Sequence, residues 1–203
     1  MKKLTLIILA IIAMNCLTFQ KANAQCIEKG KMLIDVYYGY PNLFTQTLKS
    51  GYDNTIKEDV KISGIGPFGA KYEYLLSNKV GIALNINYAN SIVKGKGEDY
   101  NGIVYDYKVS VPRFRIFPLF NFHFATTDQL DPYFLIGGGY GSFKMNLTSD
   151  DPDFEEESIS GLGNVAFRVG IGTRYFFTDK FGANLELGLG GGGLLQFGVT
   201  GKF

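Results

Sequence analysis

Residues 194–203 read LLQFGVTGKF, and this stretch decides the fold. Leu195, Phe197, Val199, Gly201 and Phe203 alternate with Gln196, Gly198, Thr200 and Lys202, the period-two pattern of a β-strand with one apolar and one polar face. An apolar face has to be covered by a core or by lipid, and no residue follows Phe203 to cover this one.

Working back from that strand, the same alternation recurs along the chain. Val165, Phe167, Val169, Ile171, Tyr175 and Phe177 keep one strict phase, and Thr178 to Lys180 turn the chain into a strand with Ala183, Leu185, Leu187 and Leu189 on one face. A glycine connection, 190–193, joins it to the terminal strand. Earlier strands are predicted at about 31–40, 64–76, 80–89, 107–124 and 132–147, which makes eight in all. The parity of Val109 and Val111 predicts a bulge near Pro112. The facing of 132–147 stays open, because Phe134, Ile136 and Tyr140 compete with Tyr133, Leu135 and Phe143 across a triple glycine.

Composition agrees with strands and turns. Gly (26), Phe (17) and Tyr (13) are abundant, and helix formers at helical spacing are scarce. Lys2 and Lys3, an apolar run to Met14 and Ala22-Asn23-Ala24 read as a secretory signal cut after Ala24, so 1–24 is the signal peptide and 25–203 a single barrel domain. That cut removes three of the 20 basic residues against 19 acidic ones, so no basic excess suited to nucleic acid remains. Cys26 is then a single thiol with no disulfide partner, and Gln25 before it is not the small residue a lipidation site needs.

Two observations separate a membrane barrel from a soluble one. Connections alternate long (41–59, 91–105, 147–162) and short, as in a barrel with short turns at one end and long loops at the other, which puts both termini at the short-turn end. The charged strand residues Asp35, Lys71, Glu73, Arg113, Arg115, Arg168, Arg174 and Glu186 all lie opposite the aliphatic face. Eight strands would carry about 40 large apolar side chains on that face, too many for an interior just wide enough for its own side chains. Turned toward hydrocarbon they are stable, whereas charges there would cost about 2 to 4 kcal/mol each. The fold class is therefore all-β: an eight-stranded antiparallel up-and-down transmembrane β-barrel whose last strand pairs with its first.

On the segments LLQFGVTGKF, DPYFLIGGGYG (131–141) and RFRIFPLFNFHF (113–124), the chain resembles the small eight-stranded outer-membrane barrels of the OmpA, OmpX and OmpW kind, in the broad outer membrane protein β-barrel domain group. The resemblance implies a bacterial outer membrane and periplasmic termini; no nucleophile and base pair is visible, so no enzymatic activity is expected. It implies membrane lipid and lipopolysaccharide as surroundings, and the barrel-assembly machinery reading Phe203 with Val199 and Phe197. The eight charged residues are expected to pair inside the barrel and fill it; a narrow channel or transporter for ions or small apolar molecules is the alternative. Tyr52, Tyr100, Tyr105 and Phe154 give the long loops aromatic handles for an extracellular or envelope partner. The acidic run 150–157 reads as a solvated loop without calcium-loop spacing, and His123, the only histidine, as a structural residue. No cofactor, metal or catalytic set is expected.

Overall fold

The computed structural model describes residues 25–52, 60–98, 102–160 and 165–203. The predicted signal peptide, 1–24, lies outside them. In chain order the elements are β1 (Met32–Asn42), α1 (Leu43–Tyr52), β2 (Lys61–Ser77), β3 (Val80–Glu98), β4 (Val104–His123), β5 (Leu130–Ser149), β6 (Glu157–Ser160), β7 (Val165–Phe176), β8 (Phe181–Gly190) and β9 (Gly193–Lys202). Sequential strands pair antiparallel, and β1 pairs with β9 from Leu33↔Lys202 to Asn42↔Gly193, which closes the sheet into a barrel. Both β6 and β7 pair with β5 at different heights, so the nine segments make eight staves.

Closure leaves no free edge around the belt, and the alternation sorts the side chains. Ile34, Val36, Tyr72, Ile82, Phe120, Ile171, Leu187 and Phe197 stand on the outside as an apolar belt, and the charged partners in each strand are buried inside. The open facing in β5 resolves the same way: Tyr133 and Leu135 point inward, Phe134, Ile136 and Tyr140 outward. One sector of the interior is apolar, formed by Ala83, Phe117, Leu119, Tyr133, Leu135 and Ala166.

Three expectations are corrected. No bulge occurs at Pro112: the β3–β4 register runs unbroken through Asn90↔Pro112, and Val111 is buried in phase with Arg113. An inner wall sealed from lipid accepts apolar and charged residues alike, so those valines signalled packing and not a change of phase. The extra residue instead sits at Gly66-Pro67 in β2, where the register shifts between Ile65 and Phe68; Pro67 has no N–H for the ladder, and Gly66 takes a φ of 78°. Second, the stretches 91–105 and 147–162 are largely paired strand, since β3 runs to Glu98, β4 begins at Val104 and β6 folds back on β5. There polar and glycine residues interrupt both faces, as at Lys94, Gly95, Lys96 and Gly97, so alternation in hydropathy is lost while the ladder continues.

Third, the stretch 41–59 holds α1 where a loop was expected. Asn42 caps it, its Oδ1 accepting from Thr45 N at 3.3 Å. Thr45 is buried and shares a 2.7 Å hydrogen bond with Ser91 on the inner face of β3, so the first helical turn packs into the barrel end. Leu43 N donates to Gly192 O, tying the helix to the β8–β9 turn. At the opposite end, which holds the first described residues and Phe203, residues 26–27 tuck inward: Cys26 and Ile27 pack with Leu33, Leu75 and Phe176. Cys26 N donates to Thr127 O at 2.8 Å, and Lys202 Nζ donates to Cys26 O at 2.7 Å.

Candidate functional site

The barrel waist is organised around Arg174 of β7. Its guanidinium donates from Nε and Nη2 to Asp35 at 2.9 to 3.2 Å, from Nη2 to Glu73 Oε2 at 2.6 Å and from Nη1 to Asp131 Oδ2 at 2.9 Å. Lys71 lies 3.1 Å from Asp35 Oδ2 and forms a short ion pair with Glu186, whose other oxygen accepts from Arg168 Nη2 at 3.0 Å. The Tyr133 hydroxyl accepts from Lys71 Nζ at 3.0 Å and donates to Glu186 Oε2 at 2.8 Å. Its ring lies under both cations, 4.6 Å from Lys71 Nζ and 4.5 Å from the Arg174 guanidinium carbon. His123 bridges Asp131 (2.7 Å) and Glu73 (2.9 Å) through its two ring nitrogens.

Of the eight charged residues singled out from the sequence, the structure therefore brings six together: Asp35, Lys71, Glu73, Arg168, Arg174 and Glu186. It adds Asp131, His123 and Tyr133. Asp131 precedes the strand predicted from 132, so strand parity does not link it to Arg174, 43 residues away.

Arg113 and Arg115 of β4 stand apart, near α1. Arg113 Nη2 donates to Asn42 Oδ1 at 2.9 Å and Ser91 Oγ at 2.8 Å, and its guanidinium carbon lies 4.3 Å from the Phe44 ring centroid. Arg115 Nη1 donates weakly to Asn87 Oδ1 at 3.4 Å. Neither has a carboxylate partner among the described residues.

The expected contact residues scatter. Tyr100 lies outside the described residues, as does the side chain of Tyr52, the last residue of α1. Phe154 packs edge-on against Tyr107 of β4, ring centroids 5.8 Å apart, and Tyr105 is half-buried. Phe197, Val199 and Phe203 face outward, and Phe203 pairs its N–H and C=O with Met32.

A feature the sequence reading missed lies on the outer wall at the helix end. Lys61, Lys94 and Lys108 stand directly opposite one another across β2, β3 and β4. Lys96, two residues along β3, joins them around a cleft of about 480 Å³ that also includes Asp106 and Asp150. Like charges in register oppose sheet pairing, and no ion pair relieves these lysines among the described residues. The signal was present as three cross-strand partners, but it needed the register to become visible.

Cys26, below the membrane-facing belt, is enclosed by the terminal-end plug, and burial pushes its thiol up to about 12. Little thiolate exists there near neutral pH, so the thiol is a packing residue and not a nucleophile.

A family model described as outer membrane protein beta-barrel domain matches residues 7–192. No curated protein matches the chain. Among solved structures, the chain is similar to the N-terminal β-barrel domain of Pseudomonas aeruginosa OprF, with 17% identity over 87% of this chain and 100% of that one and a TM-score of 0.41. Ail, the attachment invasion locus protein of Yersinia pestis, matches at 16% identity over 86% and 99%, with a TM-score of 0.41. The outer membrane protein OprG of Pseudomonas aeruginosa matches at 15% identity over 89% and 99%, with a TM-score of 0.44.

Proposed function

The chain belongs to the outer membrane protein beta-barrel domain family, and from that premise we propose that it is a sealed, non-catalytic outer-membrane barrel whose role is structural and surface-directed. The termini then lie in the periplasm, and β3 to β6, the tall side of the wall, rise on the cell surface. The observation that carries this reading is the state of the waist: Lys71, Tyr133, Arg168 and Arg174, four of the largest side chains inside, are each at most 1% exposed. Side chains buried this completely leave little room for water around them, which supports a lumen closed at their level.

The outer wall supports the surface role. Phe68, Tyr88 and Phe114, paired in one row across β2, β3 and β4, lie where an aromatic girdle meets the membrane interface. The lysine row Lys61, Lys94 and Lys108 stands further along the same staves, at the height where phosphates of outer-leaflet lipopolysaccharide would meet the wall. The outward Phe197, Val199 and Phe203 on β9 suit recognition by the barrel-assembly machinery. The partner chemistry is thus anionic lipid on the wall, with the strand-borne loops above it available to envelope or extracellular proteins.

Planar-bilayer recording of purified, refolded protein tests the sealed lumen. Silent bilayers, alongside a band that shifts on heating to prove folding, are the expected outcome. Steady unit conductance from the same folded material would overturn the reading in favour of a narrow channel.

A further inference from the structure

We propose that the cavity beside α1 binds a small organic carboxylate with an apolar body, gripped by Arg113 and Arg115. The cavity measures about 300 Å³, and its walls include Phe44, Arg113, Arg115, Phe143, Phe167 and Gly192. That volume is at the low end for small-molecule sites and suits one ring or a short acyl chain.

Four independent features favour an anion there. Arg113 is 4% exposed, yet its Nε has no hydrogen-bond partner. The other orphaned side-chain atoms among the described residues are amides and hydroxyls of Asn85, Asn121, Thr173, Gln196 and Thr200, so this is the charged one. Second, among the described residues the hydrogen-bond partners of Arg113 and Arg115 are all neutral: Asn42, Ser91 and Asn87. A buried cation without a counter-charge is costly, and a ligand carboxylate offers the paired acceptors a guanidinium fork matches. Third, the first turn of the ten-residue helix α1 adds the positive end of its dipole at Phe44. Fourth, glycines hold the space open: a Cβ at Gly192 would stand 2.7 Å from Arg115 Nη1, and one at Gly141 would stand 3.2 Å from Ala166 Cβ and 3.5 Å from Arg115 Cγ.

The apolar body follows from the remaining walls. Phe44 and Phe143 meet edge to face at 5.8 Å and give the cavity an aromatic side, while Phe167 borders its mouth from the outer face of β7. A ligand with charge alone would leave those rings facing water. The site does not rest on the sealed-lumen reading, since it lies at the helix end and needs no path through the waist.

The test is a titration of the full refolded protein in detergent micelles, followed through its arginine Nε–Hε NMR signals. Benzoate is the probe, benzamide its neutral counterpart and inorganic phosphate the bare anion. Benzoate is expected to shift two arginine signals saturably, with benzamide and phosphate each at least about tenfold weaker, and Arg115→Gln is expected to weaken benzoate about tenfold or more. If Arg115→Gln does not fold, Gly141→Ala serves instead, because its methyl enters the cavity. Equal binding of benzamide removes the ionic grip, and equal binding of phosphate removes the apolar body. Benzoate binding unchanged in the folded variant, or no saturation below ~10 mM, overturns the site altogether.

Discussion

Arg174 and Arg113 carry the same side chain, face the same interior and are both buried, yet they meet opposite surroundings. Around Arg174 three carboxylates, Asp35, Glu73 and Asp131, converge within 3.2 Å. Around Arg113 stand an amide, a hydroxyl and a ring. The waist is closed on itself, with four carboxylates set against Lys71, Arg168, Arg174 and the bridging His123. The helix end keeps positive charge that no carboxylate among the described residues pairs with. In one barrel, then, charge serves packing at one height and stays available at another.

The harshest way to break that comparison is Arg174→Leu. It leaves Asp35, Glu73 and Asp131 buried around an apolar side chain, and breaking such a network from one side costs about 3 to 5 kcal/mol. The chain has no Trp, so the heat-modifiable gel band across a urea series is the natural readout. The variant should lose its folded band at much lower urea than the parent; an unchanged midpoint would mean that the waist does not hold the barrel.

Tyr133→Phe sharpens the same point with a smaller cut. The ring stays under Lys71 and Arg174, while the hydroxyl between Lys71 and Glu186 is lost. A loss of about 1 to 3 kcal/mol is expected in the urea series, the usual range for a buried hydrogen bond to charged groups. At the helix end, Asn42→Ala removes the cap of α1 and one acceptor of Arg113. The expected loss is about 1 kcal/mol. It should be local: amide exchange in α1 accelerates while the waist strands keep their protection. Equal acceleration in β7 and β8 would show the two regions to be one cooperative unit.

How much of this contrast the sequence could convey follows from what each signal measures. Parity places a residue on a face, so the inward Asp35, Lys71, Arg168 and Arg174 and the outward Val36, Tyr72 and Ile171 were all legible from period-two spacing. Parity does not say which inward residues meet across the axis. Arg113 and Arg174 looked equivalent for that reason, and Asp131, at the foot of β5, looked like part of a turn. Hydropathy also fails above the belt, where Lys94 and Lys96 alternate with glycines in a strand wet on both sides. The helix was hidden in a polar stretch; its traces were the Asn42 cap and Leu43, Phe44 and Leu48 at helical spacing, too short a run to outweigh Gly51, Asp53 and Asn54.

The mildest substitution bears most directly on the contrast. Arg115→Leu removes a charge that has no carboxylate partner among the described residues, so no buried charge is stranded by its loss, and the one acceptor it gives up is the neutral Asn87 amide, held at a long 3.4 Å. A change within about 0.5 kcal/mol of the parent is expected, in either direction, against several for Arg174→Leu on the same gel. A loss comparable to that of Arg174→Leu would show that Arg115 holds the barrel together, and the two regions would no longer differ in kind. A near-zero change means that the fold gains nothing measurable from a guanidinium at this position. Its presence then has to be accounted for by what it meets from outside the chain, which is how a binding residue differs from a structural one.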